Sequence, residues 1–499
     1  MLCVARHTSQ LLAHLTLRMR RPYKVRTLSR LEVSLPAVWT GWVVARIILA
    51  LLILRDWSAR NDMLYYVAAM TGHTGNPADL TEYPHAGIWP LHILVAITGF
   101  RPDAFYIAFV VACLLCDALF LALLLRGHRD RPQAFNGAWF WVFFGTAAGQ
   151  ILVMRLDLYP SLAVAGAVAL LATRPAVSAA LLSFATTMKL WPGVLAAGLV
   201  GRITSSRTWI RLVAFGVAGI ALCAVTALTS GIDRLLSPLS YQDVRGLQIE
   251  SIPATRAMLR AFIHPEAYQV GYAPSKSFEI AGPGTDTAIE ISSWLMVATI
   301  VFALAWAVFH FFAGGWNAPT TMVFFLVAAL LLIACNKVFS PQYIVWIGPL
   351  IAVILREYPH PRFAQPHLAQ PRFAPPHFAR SASPADETPA GSAATYWLIV
   401  TVAILAVIAA GLGTYVYPFN YDFLHVDLGQ KAAPLFALAT RNGLIVIMTI
   451  LSLIALFTSA FATRPRRNAR HASSASAHGH AAAPAHAMGV SRVPRPEDS

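Results

Sequence analysis

The chain has 499 residues, of which 57% are hydrophobic and only 12% charged, and its formal net charge is +15. Soluble domains carry roughly 25% charged residues, so this composition excludes an ordinary soluble protein and indicates a polytopic membrane protein. The basic residues lie mostly in short segments beside apolar runs. That distribution follows the positive-inside rule and argues against a nucleic-acid-binding groove.

The N-terminal segment, residues 1–36, contains seven Lys or Arg residues. It is too polar for a signal peptide, and no small-residue cleavage site follows the first apolar run, so we expect a cytoplasmic segment and a retained anchor. That first run, residues 37–54, carries Arg46 near its middle. Arg46 is expected either to snorkel or to pair with a carboxylate.

An acidic stretch follows the first apolar run and contains Asp62, Asp79 and Glu82. The next apolar run, residues 86–100, has about fifteen residues, whereas roughly twenty are needed to cross a bilayer. The sequence therefore predicts that residues 86–100 lie in the interface or re-enter, and that the acidic stretch is held against the membrane. The alternative is a solvated connecting loop.

Eleven further apolar runs complete the pattern, separated in one place by a long loop that ends at Glu290. They cover residues 103–125, 135–153, 161–173, 176–188, 190–201, 212–229, 291–312, 320–335, 344–355, 396–415 and 434–461. With the first run, they predict an all-α polytopic membrane protein of about twelve spans with both termini in the cytoplasm.

Residues 356–395 are rich in Pro, His and Ala and contain a five-residue repeat, and residues 463–499 form a basic tail rich in Ala and His. Both segments are predicted to be disordered. The linker histidines suit occasional metal binding, although a plain basic linker is the simpler interpretation. The predicted organisation is therefore a membrane core, residues 37–355, and a C-terminal helical segment, residues 396–462, joined by this linker.

The topology places polar residues from distant parts of the chain on one outer face. These are Asp62, Glu82, Arg155, Asp157, Lys189, Arg245, Glu250, Lys337 and Ser340. Ionisable residues at membrane depth are costly and usually mark functional sites. Carboxylates offer a general base, whereas Arg and Lys suit a phosphate. The chain has no Gly-rich phosphate loop and no Asp-x-Asp sugar-nucleotide motif, which argues against a nucleotide-binding site.

Six short motifs occur in order along residues 40–355. They are Asn61-Asp62-x-x-Tyr65, Glu82-Tyr-Pro84, Arg155-Leu-Asp157-Leu-x-Pro160, Lys189-Leu-Trp-Pro192, Arg245-Gly-Leu-Gln-Ile-Glu-Ser251 and Val338-Phe-Ser-Pro-Gln-Tyr-x-x-Trp346. Together they resemble the polyprenol-phosphate-mannose-dependent mannosyltransferases of glycosyltransferase family 87, within the GT-C superfamily. One departure is His85, which stands where many relatives have a second proline.

The resemblance implies a GT-C-type helical bundle in the inner membrane that transfers mannose with inversion on the extracytoplasmic face. The donor would be a polyprenyl-phosphate-linked sugar, the acceptor a hydroxyl of a membrane glycolipid or glycan, and the linkage α-1,2. Asp62 would be the general base. Donor phosphate would be bound by Lys189, Arg245 and Lys337, and Arg155 and Asp157 would form a pair that orients these cations.

Sugar and acceptor contacts are expected from Tyr65, Glu82, His85, Gln248, Glu250, Ser251, Ser340 and Gln342. For Gln248, Glu250 and Ser251 a capped loop helix is an equal alternative. No metal ligands are assigned, and nothing in the sequence requires a divalent metal or another cofactor, so the need for a metal stays open. It also leaves open transfer of arabinofuranose or another pentose by the same scaffold, and a flippase or transporter of lipid-linked sugars.

Overall fold

The computed structural model describes residues 33–358, apart from positions 57, 77–78, 100 and 244, and residues 390–462. The N-terminal segment up to residue 32, most of the predicted linker and the tail from residue 463 lie outside the described residues. Most of the prediction of disorder and all of the linker histidines fall there. At the two ends of the predicted linker the disorder prediction is wrong, because Arg356 and Glu357 belong to the helix Gly348–Glu357 and residues 390–395 belong to the helix Ala390–Val416.

Seventeen α-helices form the described part of the chain. They are α1 (Leu35–Arg55), α2 (Asn61–Met70), α3 (Trp89–Thr98), α4 (Pro102–Leu125), α5 (Ala134–Ala147), α6 (Ile151–Met154), α7 (Leu158–Leu170), α8 (Pro175–Met188), α9 (Pro192–Leu195), α10 (Ser206–Ser230), α11 (Ile232–Asp243), α12 (Thr255–Ile263), α13 (Thr285–Phe312), α14 (Ala318–Ala334), α15 (Gly348–Glu357), α16 (Ala390–Val416) and α17 (Ala432–Ala462). Short 3₁₀ segments precede α3 at His85–Ile88 and α15 at Pro341–Trp346.

Six helices among the described residues are long and apolar enough to cross a membrane: α1, α4, α10, α13, α16 and α17. Helices α10 and α13 direct large apolar side chains outward, including Ile220 and Trp294, as lipid-facing helices do. These six helices confirm the prediction of a helical, multi-pass membrane protein. The count of twelve spans and the cytoplasmic termini stay predictions. Helix α3 has ten residues, which is too short to span.

The core is centred on α14, most of whose residues are buried, and it packs against α17. Helices α1 and α4 are joined by the buried pair of Arg46 and Asp117, with Nε 2.6 Å from Oδ2. Asp117 also accepts hydrogen bonds from the indole N–H groups of Trp42 and Trp141. Of the two outcomes expected for Arg46, the structure has the carboxylate pair.

The predicted long loop between α10 and α13 contains the helices α11 and α12 and a β-hairpin that the sequence analysis did not predict. Strands β1 (Gln269–Tyr272) and β2 (Phe278–Ala281) pair antiparallel. At the tip, Lys276 has a φ of +56°. A left-handed conformation in a residue with a Cβ costs about 1–3 kcal/mol, so the surrounding contacts hold it there.

Candidate functional site

A cavity of about 710 Å³ lies where α2, the 80–84 segment, the hairpin and the ends of α8, α13 and α14 meet. Its volume falls in the range of roughly 300–1,000 Å³ typical of small-molecule sites. Eight of the residues proposed from the sequence line it: Asp62, Tyr65, Glu82, Lys189, Arg245, Lys337, Ser340 and Gln342. The structure thus brings together side chains separated by up to 280 positions along the chain.

Asp62 lies in the first turn of α2, and its side chain is 41% exposed. Its Oδ2 pairs with Nε of the buried Arg155 at 2.9 Å. The same guanidinium donates to the Ala59 carbonyl at 2.9 Å and, through Nη2, to the hydroxyl of Tyr417 at 2.6 Å. Burial raises the pKa of Tyr417 to about 12, so this acceptor is a neutral hydroxyl near pH 7. Arg155 is therefore fixed from three directions and holds one oxygen of Asp62.

Asp157 has a different partner from Arg155. Its Oδ1 accepts from Nζ of Lys189 at 2.5 Å and from the indole of Trp346 at 2.6 Å. Lys189 also lies over the Tyr343 ring, 5.0 Å from its centroid. The predicted Arg155–Asp157 pair is absent between these two described residues. Instead, one residue of the Arg155-Leu-Asp157 motif contacts the proposed base, and the other contacts a proposed phosphate-binding cation.

Lys337 differs from the other cavity lysines in its charge environment. Asp157 offsets the charge of Lys189, and Asp79 pairs with Lys276 at 2.9 Å. Within the part of the chain that the structure describes, Lys337 has no carboxylate within 4 Å of its ammonium group. The uncompensated positive charge at this side of the cavity suits an anion.

Tyr65 and Glu82 form another polar wall. The Tyr65 hydroxyl donates to Glu82 Oε1 at 3.0 Å and accepts from the Leu80 amide and from Lys276 Nζ, the latter at 2.5 Å. Burial raises the pKa of Glu82. Its second oxygen, Oε2, is buried and has no hydrogen-bond partner among the described residues.

Four residues proposed for sugar binding do not line the cavity. His85 contacts Trp89 and the hydroxyl of Ser230, the last residue of α10. The side-chain oxygen of Gln248 accepts from the Phe339 backbone amide at 2.6 Å, and the backbone N–H of Gln248 donates to the Lys337 carbonyl. Buried Glu250 pairs with Arg441 of α17 at 2.6 Å. Ser251 accepts from the Ala254 amide in the turn before α12, whose N-cap residue, Ala254, has no side-chain capping hydrogen bond.

The structure also places residues at the site that the sequence analysis did not assign. Lys276 and Tyr272 line the cavity from the hairpin, while Tyr417 and Arg441 contact predicted site residues from the C-terminal helices. Pro274 and Ser275, between two short strands, were a turn signal for the hairpin. Nothing in the local sequence indicated the partners of Tyr417 and Arg441.

The described residues contain no group of three or more His, Cys, Asp or Glu side chains placed to hold a metal ion. The fold and the cavity define a multi-pass helical membrane protein with a charged, partly apolar site. Comparisons with protein-family models, with curated proteins and with solved structures return no match.

Proposed function

We propose that this protein is an integral membrane glycosyltransferase that moves a mannosyl residue from a polyprenyl-phosphate-linked donor to a hydroxyl of a membrane glycolipid or glycan. The observation that carries the proposal is the composition of the cavity. It presents the partly exposed carboxylate of Asp62 together with four cations, Lys189, Arg245, Lys276 and Lys337. A reaction that needs both a base and a stabilised phosphate leaving group would use this set.

The base would be Asp62. Arg155 contacts only Oδ2, and no described group donates a hydrogen bond to Oδ1. Oδ1 would take the proton of the acceptor hydroxyl as that oxygen forms a bond to the anomeric carbon. The bond between the anomeric carbon and the phosphate oxygen breaks in the same displacement, so the configuration inverts and the electron pair leaves with polyprenyl phosphate.

The leaving phosphate would lie at the Lys337 side. There its growing negative charge meets an ammonium group that no described carboxylate neutralises, and charge stabilisation of this kind lowers the barrier most when the charge develops. Leu190, Val194, Met296 and Leu332 give the cavity an apolar part beside these cations. The polyprenyl chain would leave the cavity along this part toward the bilayer.

The remaining assignments follow from the charge pattern of the loops and the sequence resemblance. The cavity would open to the extracytoplasmic side of the inner membrane, with both termini in the cytoplasm. The transferred sugar would be mannose and the new linkage α-1,2. A mannoside and an arabinoside donor offered together to the same preparation would decide between a hexose and a pentose.

The test is release of polyprenyl phosphate from polyprenyl-phosphate-mannose by the purified full-length protein with a mannoside acceptor. Asp62→Asn keeps the shape of the side chain but cannot accept a proton at neutral pH. It should lower turnover about 10²–10⁴-fold, with little change in donor affinity.

Glu82→Gln is the matched comparison, because Glu82 is the other carboxylate that lines the cavity. Normal turnover in Asp62→Asn with none in Glu82→Gln would move the base to Glu82. If neither substitution affects transfer, the mechanism is wrong, and if the unmodified protein releases no polyprenyl phosphate from either sugar donor, so is the proposed function.

A further inference from the structure

The hairpin supplies one wall of the cavity through two side chains. Lys276 at the tip lines the cavity and bonds to the Tyr65 hydroxyl and to Asp79, so the tip is tied to α2 and to the 79–82 segment. Tyr272, at the end of β1, lines the same cavity and is 66% exposed. We call Glu82, Tyr65, Lys276 and Tyr272 the hairpin wall.

The carboxylate of Glu82 on this wall is only partly hydrogen-bonded. Oε1 receives the Tyr65 hydroxyl, while Oε2 is buried without a partner among the described residues. An unsatisfied buried carboxylate oxygen is costly, and a ligand that donates a hydrogen bond to it would remove that cost. A hydroxyl group is such a donor, whereas a fully ionised phosphate has no hydrogen to give.

The exposed ring of Tyr272 adds a second preference. It packs edge-on against Phe278, with ring centroids 5.2 Å apart, which fixes its position. Asp62 and Glu82 line the same cavity, and burial and then the charges of these two carboxylates raise the pKa of Tyr272. An aromatic surface beside hydrogen-bonding groups suits a flat, hydroxyl-rich ring with apolar C–H faces.

The hairpin wall and Lys337 offer a ligand different charges. In the hairpin wall Lys276 pairs with Asp79, and the charge of Glu82 interacts with that of Arg234, whereas Lys337 has no carboxylate within 4 Å among the described residues. We infer that the hairpin wall binds a neutral, hydroxyl-rich sugar ring of the acceptor, and that the phosphate-bearing substrate is confined to the Lys337 side. That the sugar ring belongs to the acceptor rests on the proposed function, whereas the preference of the hairpin wall for a neutral sugar ring does not.

The experiment measures equilibrium binding of two probes to the full-length protein in lipid nanodiscs, with empty nanodiscs as background. The neutral probe is octyl α-mannoside, and the anionic probe is dodecyl phosphate. Tyr272→Ala should weaken mannoside binding about tenfold and leave phosphate binding within about twofold. Lys337→Met should show the reverse pattern. Tyr415→Ala, an exposed tyrosine of α16 outside the cavity, serves as the control and should change neither.

Lys276→Gly tests whether the lysine serves only the hairpin geometry, because glycine adopts a positive φ without strain. It should also weaken mannoside binding about tenfold, since the ammonium group is lost. An affinity for the mannoside that neither Tyr272→Ala nor Lys276→Gly changes would overturn the inference. Equal losses of affinity for the mannoside and the phosphate probe would overturn it as well. If the crossed pattern holds and the protein transfers no sugar, the wall is supported and the proposed function fails.

Discussion

Tyr417 gives the sharpest test of how the proposed base is held. Tyr417→Phe removes the hydroxyl that accepts from Arg155 Nη2 at 2.6 Å and keeps the ring that packs against the guanidinium. A hydrogen bond to a charged group is worth about 1.5–3 kcal/mol. Because 1.4 kcal/mol corresponds to tenfold in rate, loss of the whole term would lower turnover about 10–100-fold. Since the contacts of Arg155 with Ala59 and Asp62 remain, we expect the lower end.

The assay is steady-state sugar transfer, with donor affinity measured separately. If Tyr417 acts through Arg155 on Asp62, turnover falls while the affinity for the donor stays within about twofold. Tyr415→Phe is the matched control, because Tyr415 lies two residues before Tyr417 at the end of α16, is exposed and does not line the cavity. It should behave as the unmodified protein.

A double-mutant cycle separates positioning from a general structural effect. In the Asp62→Asn background the base is already lost, so Tyr417→Phe should lower turnover little further. Additive losses in the double variant, or unchanged turnover in Tyr417→Phe alone, would refute this account of Tyr417. A fall in melting temperature that accounts for the whole loss of activity would refute it too.

Three further outcomes are expected. Lys337→Met should weaken donor binding more than Lys189→Met, because Asp157 already offsets the charge of Lys189; equal losses in a donor-binding titration would contradict the charge argument. Burial raises the pKa of Glu82, so the folded protein binds the carboxyl proton of Glu82 more tightly than the unfolded chain does. This carboxyl therefore favours folding at low pH, where it is protonated, and opposes folding above its folded-state pKa, where it is ionised. Glu82→Gln should therefore melt higher than the unmodified protein at about pH 8, with the difference shrinking toward about pH 5; a lower melting temperature at about pH 8 would contradict this sign. Arg46→Met should destabilise the protein by about 3–5 kcal/mol, because it leaves Asp117 charged and buried, and denaturant unfolding in detergent measures the loss.

The long helices were predictable because continuous apolar character identifies a span and charged flanks limit it. The predicted run 103–125 corresponds to α4, Pro102–Leu125. The run 135–153 was predicted as one helix but is broken between α5 and α6. Gly149 has a φ of +59° there, and the Gln150 side chain donates to the Leu52 carbonyl. Gly149 and Gln150 were the only interruption of that stretch of the run, and a single Gly beside a polar residue is also compatible with a continuous helix.

The members of the cavity were easier to predict than their partners. Loop charge and motif order identified Asp62, Lys189 and Lys337 as residues of one site, and all three line the cavity. Their partners depend on tertiary packing that a sequence pattern does not encode. Tyr417 is 262 positions from Arg155, and Arg441 is 191 positions from Glu250. The hairpin strands are only four residues long, so the alternation of apolar and polar residues along them is too short to predict a strand.

The Arg155-Leu-Asp157 motif shows why spacing alone misled the prediction of a pair. Arg155 has an extended backbone, with φ −134° and ψ 147°, whereas Asp157 already has helical angles at the start of α7. The change of conformation between them sends the two side chains to different partners, Arg155 to Asp62 and Asp157 to Lys189. Residues 155–157 therefore contact both the proposed base and a proposed phosphate-binding cation, so a shift of this segment would change both contacts together.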